Sequence, residues 1–275
     1  MSGTTMEKLI ITVAPNGAIA TKEMTPHVPV TVREVVDDAV RCWEAGASVL
    51  HYHARDANQQ ASLDYNFFRD VLEGVRARTT LIVQISTGKI GADREERIRA
   101  VDLRPDMMSL NVGSTNFGDR TYVNGPDEVE YWSRRMLEFE VIPEIECFDV
   151  GHIHAGIRLC EKQLVRTPAL FNFVLGVANA LPYDRRHLLH MIDTIPPGAM
   201  WNVIGLGRNQ LPAATLATVL GGNVRVGLED NIYYSYKVLA TNAQLVDRAV
   251  RVARELQRPV ATPAEARQIL GIKNS

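Results

Sequence analysis

Ser48-Val49-Leu50-His51-Tyr52-His53-Ala54-Arg55-Asp56 carries an apolar run into two histidines one residue apart. On a β-strand alternate side chains share a face, so His51 and His53 point the same way and can hold one ion between them. On a helix the two would diverge by about 200°. A metal site needs at least one more ligand, and an acid at the end of another strand would serve. Arg225-Val226-Gly227-Leu228-Glu229-Asp230-Asn231 offers such an end, with Glu229 as the third ligand. Two histidines and a carboxylate suit a divalent transition metal, zinc most often, with positions left open for substrate. A lone His-x-His is equally compatible with two satisfied polar side chains at a strand end.

Other residue patterns near this pair bear on chemistry. Arg225 precedes Asp230 by five residues, so in a barrel interior it can reach that acid and hold it ionised as a base; a purely structural ion pair reads the same way. Glu144 and Glu146 alternate on one strand face, and Glu144 is the next candidate for the base. Gly205-Leu206-Gly207-Arg208-Asn209-Gln210 opens a helix, where backbone amides and Arg208 would suit a phosphorylated group. A tight turn with a surface arginine fits the same residues. Gly151-His152-Ile153-His154 repeats the His-x-His pattern at a helix start, where the rings diverge. Tyr233-Tyr234-Ser235-Tyr236 lacks a basic stripe and reads as packing rather than as a base-stacking platform.

The elements that must position these residues alternate. Apolar runs at Leu9–Val13, 49–53, Leu81–Ser86, Met107–Asn111, Val141–Glu146, Phe171–Gly176, Met200–Gly205 and Val224–Leu228 read as strands. Helices are expected over Val32–Ala45, from Asp64 to Arg78, Asp93–Val101, Pro126–Phe139, Ile153–Lys162, Arg185–Ile195, Gln210–Leu220 and Ala243–Leu256, with a short one from Pro263. Eight βα units in about 250 residues predict a (β/α)8 barrel, taken over residues 1–275 as one domain with a short C-terminal helical extension. A doubly wound sheet would more often carry a glycine-rich turn after its first strand, and Ala14-Pro15-Asn16-Gly17 does not match one. In a barrel, chemistry gathers where the strands end. Here those ends carry Asn16, His51 and His53, Ser86, Asn111 with Ser114, Glu144 and Glu146, Asn172, Asn202, and Glu229 with Asp230. So many polar closures of apolar strands point to an enzyme.

Composition excludes other classes. The 275 residues are 46% hydrophobic and 23% charged with a formal net charge of -2, which gives no electrostatic reason to expect nucleic acid or an anionic membrane. No run approaches the roughly 18 apolar residues of a membrane span. Met1 to Lys8 lacks the pattern of a signal peptide. Cys42, Cys147 and Cys160 are scattered and odd in number, as in a cytoplasmic protein with reduced thiols.

Five stretches together carry a resemblance: Glu-Ala-Gly-Ala-Ser-Val-Leu-His-Tyr-His-Ala-Arg-Asp (44–56), Gln-Ile-Ser-Thr-Gly (84–88), Pro-Glu-Ile-Glu-Cys-Phe-Asp (143–149), Gly-Leu-Gly-Arg-Asn-Gln (205–210) and Val-Arg-Val-Gly-Leu-Glu-Asp-Asn (224–231). In order and spacing the chain resembles the β-keto acid cleavage enzyme family from about Leu9 to Ile272. The resemblance implies a zinc-dependent barrel that converts a β-keto acid plus acetyl-CoA into acetoacetate plus a new acyl-CoA. It implies zinc on His51, His53 and Glu229, an Arg225/Asp230 dyad as base, and Ser86 touching substrate. Asn16, Ile19, Asn111, Ser114, Glu146 and Arg208 are the further residues expected to meet the keto acid or CoA. A homo-oligomer, with a tetramer as the expected form, belongs to the same reading. Relatives acting on an amino-bearing keto acid resemble one another in carrying Gly-Ala-Glu after strand one. This chain has Gly17-Ala18-Ile19, so a neutral or apolar substrate side chain is expected, since a buried ammonium without a partner is costly. A metal-dependent aldolase or lyase without CoA, and a metal-dependent hydrolase, are the competing readings.

Overall fold

The computed structural model describes residues 7–273; Met1–Met6 of the chain start considered above lie outside them. Eight parallel strands close into a barrel: β1 (Ile11–Val13), β2 (Val49–Tyr52), β3 (Ile82–Ile85), β4 (Met107–Asn111), β5 (Ile142–Cys147), β6 (Leu170–Leu175), β7 (Met200–Gly205) and β8 (Asn223–Val226). Each pairs with its sequence neighbours, and β8 returns to β1 with Thr12 opposite Arg225. Closure rules out the doubly wound alternative, because such a sheet leaves two edges.

The surrounding helices are α1 (Val32–Glu44), α2 (Tyr65–Arg78), α3 (Arg94–Ile98), α4 (Pro126–Glu138), α5 (Val150–Glu161), α6 (Arg185–Thr194), α7 (Gln210–Leu220), α8 (Asn242–Glu255) and α9 (Pro263–Leu270). Their starts follow capping chemistry. Thr31 accepts from the Glu34 amide at 3.2 Å while the Glu34 carboxylate accepts from the Thr31 amide at 3.1 Å, a capping box that satisfies two otherwise unpaired donors. Val35, Val36, Ala39 and Cys42 then bury the inner face of α1 at helical spacing. Helix α5 starts three residues before the expected Ile153, because Asp149 caps it by accepting from the His152 amide at 3.1 Å.

The barrel interior is layered. Val49, Ile82, Met107 and Leu170 form an apolar floor, sealed from below by Ala266 and Leu270 of α9. Above them the inward positions turn polar: His51, Gln84, Glu144, Asn172, Asn202 and Arg225, all buried. At the C-terminal mouth, Phe148, Val174, Val177 and Ile204 form an apolar cluster with Phe117 and Leu206 against it.

Three short hairpins sit over the mouth where the sequence suggests only loops: Ala54–Arg55 with Ala61–Ser62, Thr115–Phe117 with Arg120–Tyr122, and Tyr233–Ser235 with Val238–Leu239. The tyrosine run on the last of them packs only in part. Tyr234 lies under the Arg248 guanidinium, 4.6 Å from its ring centre, whereas Tyr236 is 86% exposed.

Strand β8 ends at Val226 rather than at the expected Leu228. Gly227 takes φ +145°, and a Cβ there would lie 2.1 Å from the Ala14 carbonyl oxygen. The break lets the Glu229 amide donate to that same carbonyl at 3.1 Å. Glu229 and Asp230 are thereby lifted onto the barrel mouth. Gly227→Ala should accordingly cost about 2 kcal/mol or more, from strain and from the clash. A urea unfolding curve with an unchanged midpoint would contradict this account of the turn.

Candidate active site

Two histidines and one glutamate meet at the mouth. His51 lies on β2 and His53 just beyond it, so their rings share the interior side, 5.2 Å apart. Glu229 approaches from the turn after β8, with its carboxylate oxygens 3.6 Å from His51 Nε2 and 3.3 Å from His53 Nε2. One donor atom from each of the three lies within 4.8 Å of the others. The segment after β1 fixes this approach. Gly17 has φ +52°, and a Cβ there would stand 2.2 Å from the Glu229 side chain. Asn16 is fully buried. Its amide donates to the His53 carbonyl at 2.9 Å and accepts from the His53 amide at 3.1 Å. It therefore braces the histidine strand and does not face the cavity, contrary to the expected substrate contact.

Arg225 stands beside the glutamate. Its Nε and Nη2 each donate to Asp230 at 2.9 Å, a two-pronged pair, and Nη2 also donates to Glu229. Glu146 lies 3.7 Å from Nη1. One guanidinium thus faces three carboxylates, Glu146 and Asp230 buried and Glu229 part-buried. Burial works against the charge on Arg225, but Asp230 and Glu229 more than restore it, so its pKa is raised. Burial would lift Glu229 too, yet Arg225 and the two histidines hold it well below the usual carboxylate range. Burial brings Asp230 up to about 6 against the pull of Arg225; the two-pronged geometry is that of a carboxylate. Burial and then Arg225 push His51 down to about 3, so its imidazole stays neutral, as a metal ligand must.

These residues fit a divalent cation. His51 Nε2 and Glu229 Oε2 are both buried and have no hydrogen-bond partner, and buried polar atoms are seldom left so. The excess of carboxylate over guanidinium asks for positive charge in the same place. His51 Nδ1 is held by Gln84 Oε1 at 2.7 Å, which turns the free nitrogen toward Glu229. Gln84 was not expected from the sequence. The signal was a single polar residue inside the apolar strand β3, Ile82-Val83-Gln84-Ile85, directly opposite His51.

A cavity of about 300 Å³ opens over the cluster. Ile19, Ser86, Asn111, Glu146, Arg225 and Asp230 are among the residues that line it. Ser86 Oγ accepts from the Gly88 amide at 3.1 Å, which leaves its proton free to donate. Asn111 Oδ1 is buried without a partner. Lys89, Arg120 and Tyr122 line the cavity without having been expected. Buried Arg97 holds this rim: it donates to the Thr87 carbonyl at 3.0 Å and to the Tyr122 hydroxyl at 2.6 Å.

Besides Asn16, three expected residues lie elsewhere. Glu144 is below the cavity, its carboxylate accepting from Asn202 at 2.6 Å and Asn172 at 3.1 Å. Ser114 faces a groove between α4 and α5 and accepts from the Asn124 amide at 2.9 Å. Arg208 is exposed. The phosphate cradle expected around it is already engaged: the Gly207 amide donates to the Asp230 carbonyl at 2.7 Å and the Asn209 amide to the Leu206 carbonyl at 3.2 Å. As expected for the second His-x-His, His152 and His154 diverge. His152 is buried and accepts from the Phe148 amide at 3.1 Å, while His154 is exposed.

Residues 8–272 match the sequence profile of the beta-keto acid cleavage enzyme family. The chain belongs to that family. It is 43% identical to the 3-keto-5-aminohexanoate cleavage enzyme of Fusobacterium nucleatum, over 98% of this chain and 99% of that one. It is 39% identical to the 3-oxoadipate:acetyl-CoA acetyltransferase of Cupriavidus necator, over 96% and 94%. Among solved structures, apo ObcA superposes with a TM-score of 0.80 over 90% of this chain at 19% identity, a likeness of fold; this chain spans 66% of ObcA's length.

The contact between Gly17 and Glu229 is open to test. Gly17→Ala should force the glutamate away from the histidines and weaken binding of a divalent metal by roughly tenfold or more, as outer contacts of metal ligands commonly do. Unchanged zinc affinity in a chelator competition would show that Glu229 does not depend on this contact.

Proposed function

We propose that this chain cleaves a β-keto acid against acetyl-CoA, giving acetoacetate and the acyl-CoA of the remaining fragment, with zinc held by His51, His53 and Glu229. The observation that supports it most is the convergence of those ligands and the Arg225–Asp230 pair on one cavity. The names of the relatives, which join keto acids with acetyl-CoA, support the same reaction. Zinc held there would supply a Lewis acid for the oxygens of the substrate and so would acidify the carbon between the keto and carboxylate groups.

The residues of the chain carry the proton and the orientation. Asp230 takes the proton from that carbon, and Arg225 holds the carboxylate toward the cavity throughout. The carbon attacks the acetyl thioester, whose oxygen can accept from Ser86 and Asn111. The departing CoA thiolate adds to the keto carbon of the original acid. Breaking the carbon–carbon bond leaves the new thioester and an acetoacetate carbanion, which recovers its proton from Asp230. No acyl-enzyme forms, consistent with Cys42 and Cys147 being buried in the core.

The cavity also supports a neutral or apolar substrate side chain. Ile19 lines it opposite the apolar cluster of Phe148, Val174 and Ile204. Its carboxylates, Glu146, Glu229 and Asp230, all face Arg225. An ammonium there would be opposed by Lys89 and Arg120 on the same lining. Among the described residues no helix is long and apolar enough to cross a membrane, and the reading includes a cytoplasmic, homo-oligomeric enzyme.

Transfer of label from acetyl-CoA into acetoacetate, across a panel of β-keto acids, tests the reaction directly. His51→Ala should lose both zinc and turnover, since three protein ligands leave none to spare. Asp230→Asn should keep zinc and lose roughly 10²–10⁴-fold in kcat. An Asp230→Asn enzyme as fast as its parent would move the base elsewhere, and a zinc-replete His51→Ala protein would refute the metal assignment. For the substrate, Ile19→Glu should raise kcat/KM for a 5-amino-3-keto acid relative to its neutral analogue. A ratio that stays put removes Ile19 from the side-chain pocket.

A further inference from the structure

We propose that Gln84, oriented by Glu144, is the positioning residue that fixes the tautomer of His51 and so presents Nε2 of that ring to the metal. The inference rests on the zinc assignment made above. Strands β2 and β3 pair with His51 opposite Gln84, so both side chains enter the barrel at one height. Gln84 is fully buried, and its Oε1 lies 2.7 Å from His51 Nδ1. A carbonyl oxygen only accepts, so the ring proton sits on Nδ1 and the lone pair on Nε2. A glutamine amide has two ends, however, and the reversed amide would donate to Nδ1 and move the proton to Nε2, blocking the ligand atom.

Glu144 decides between the two ends. Gln84 Nε2 is buried and makes no hydrogen bond of normal length; it shares the sealed polar layer with Glu144, whose carboxyl group burial lifts to about 7 while Arg225 and then Gln84 pull it back down. Reversal would set the amide oxygen against a carboxylate in a site without water access, an unfavourable pairing of acceptors. Glu144 cannot swing away, because Asn172 and Asn202, paired across β6 and β7, donate to its two oxygens. The asparagines thus hold the carboxylate, the carboxylate orients the amide, and the amide sets the imidazole. This gives a role to Glu144, a buried acid that lies outside the cavity and takes no part in the proton transfers. A layer serving only to fill the barrel would not need a carboxylate beneath a glutamine.

Two measurements test the chain of contacts. In the metal-free parent, ¹⁵N NMR of the imidazole, assigned by its loss in His51→Gln, should find the proton on Nδ1. In Gln84→Met, which keeps the volume and removes the acceptor, zinc affinity by chelator competition should fall about 10–100-fold, and Glu144→Gln should weaken it in the same direction. A Gln84→Met protein that binds zinc as tightly as its parent overturns the proposal, as does a metal-free parent protonated at Nε2. If Gln84→Met does not fold, the tautomer of the parent decides alone. A parent that binds no zinc at all would refute the metal assignment instead, and the tautomer would still be read independently.

Discussion

Arg225 is a guanidinium with 3% of its side chain exposed, and it faces Glu146, Glu229 and Asp230 at once. A charge buried to that depth is tolerated only when it is paired and hydrogen-bonded. The pairing here is lopsided, with one cation to three carboxylates. Much of the mouth follows from that imbalance. Burial lifts Asp230 to about 6 against the pull of Arg225, Arg225 keeps Glu229 ionised despite its burial, and burial followed by Arg225 keeps His51 neutral. A divalent ion held between Glu229 and the histidines would bring the cluster close to electrical balance, which ties the proposed ligands and the proposed base into one electrostatic unit.

The barrel builds this unit by changing polarity along its axis. An apolar floor closed by α9 excludes water from below. The polar layer above it is then surrounded by protein, and each of its members must find a partner inside the barrel. Most do, through contacts between strands such as His51 with Gln84, and Asn172 and Asn202 each with Glu144. The atoms left without partners include His51 Nε2, Glu229 Oε2 and Asn111 Oδ1, and all three residues line the cavity. The other such atoms among the described residues, on Gln84, Asn172 and Gln210, lie away from the cavity. The apolar cluster on one side of the mouth supplies the surface for a substrate chain.

Much of this is legible in the residues themselves. His51 and His53 share a face for any strand, whatever surrounds it, and Asp230 lies within reach of Arg225 because both belong to one short strand and its turn. The contacts that sequence reading misplaces are those between segments distant along the chain. Asn16 closes a strand as Asn111 does, but it turns to the His53 backbone, 37 residues away, while Asn111 turns to the cavity. Glu144 and Glu146 alternate on one face, yet two residues of rise put one in the sealed layer and the other at the wall. Ser114 lies beyond the strand end, where the hairpin that follows carries it to the outer groove.

Alternating apolar runs and capped helices determine a parallel sheet of eight βα units by themselves, because strand and helix periodicities are local, and the structure closes that sheet into a barrel. Residue type and spacing likewise determine the histidine pair and its acidic partner. Tertiary structure alone decides which polar residues are ligands, which are braces and which are spectators. Gln84, Arg97 and Gly17 act through neighbours brought close by barrel closure: His51 across a strand pair, Tyr122 on a hairpin, Glu229 from the far end of the chain. Such contacts depend on shear and burial, which no local pattern encodes.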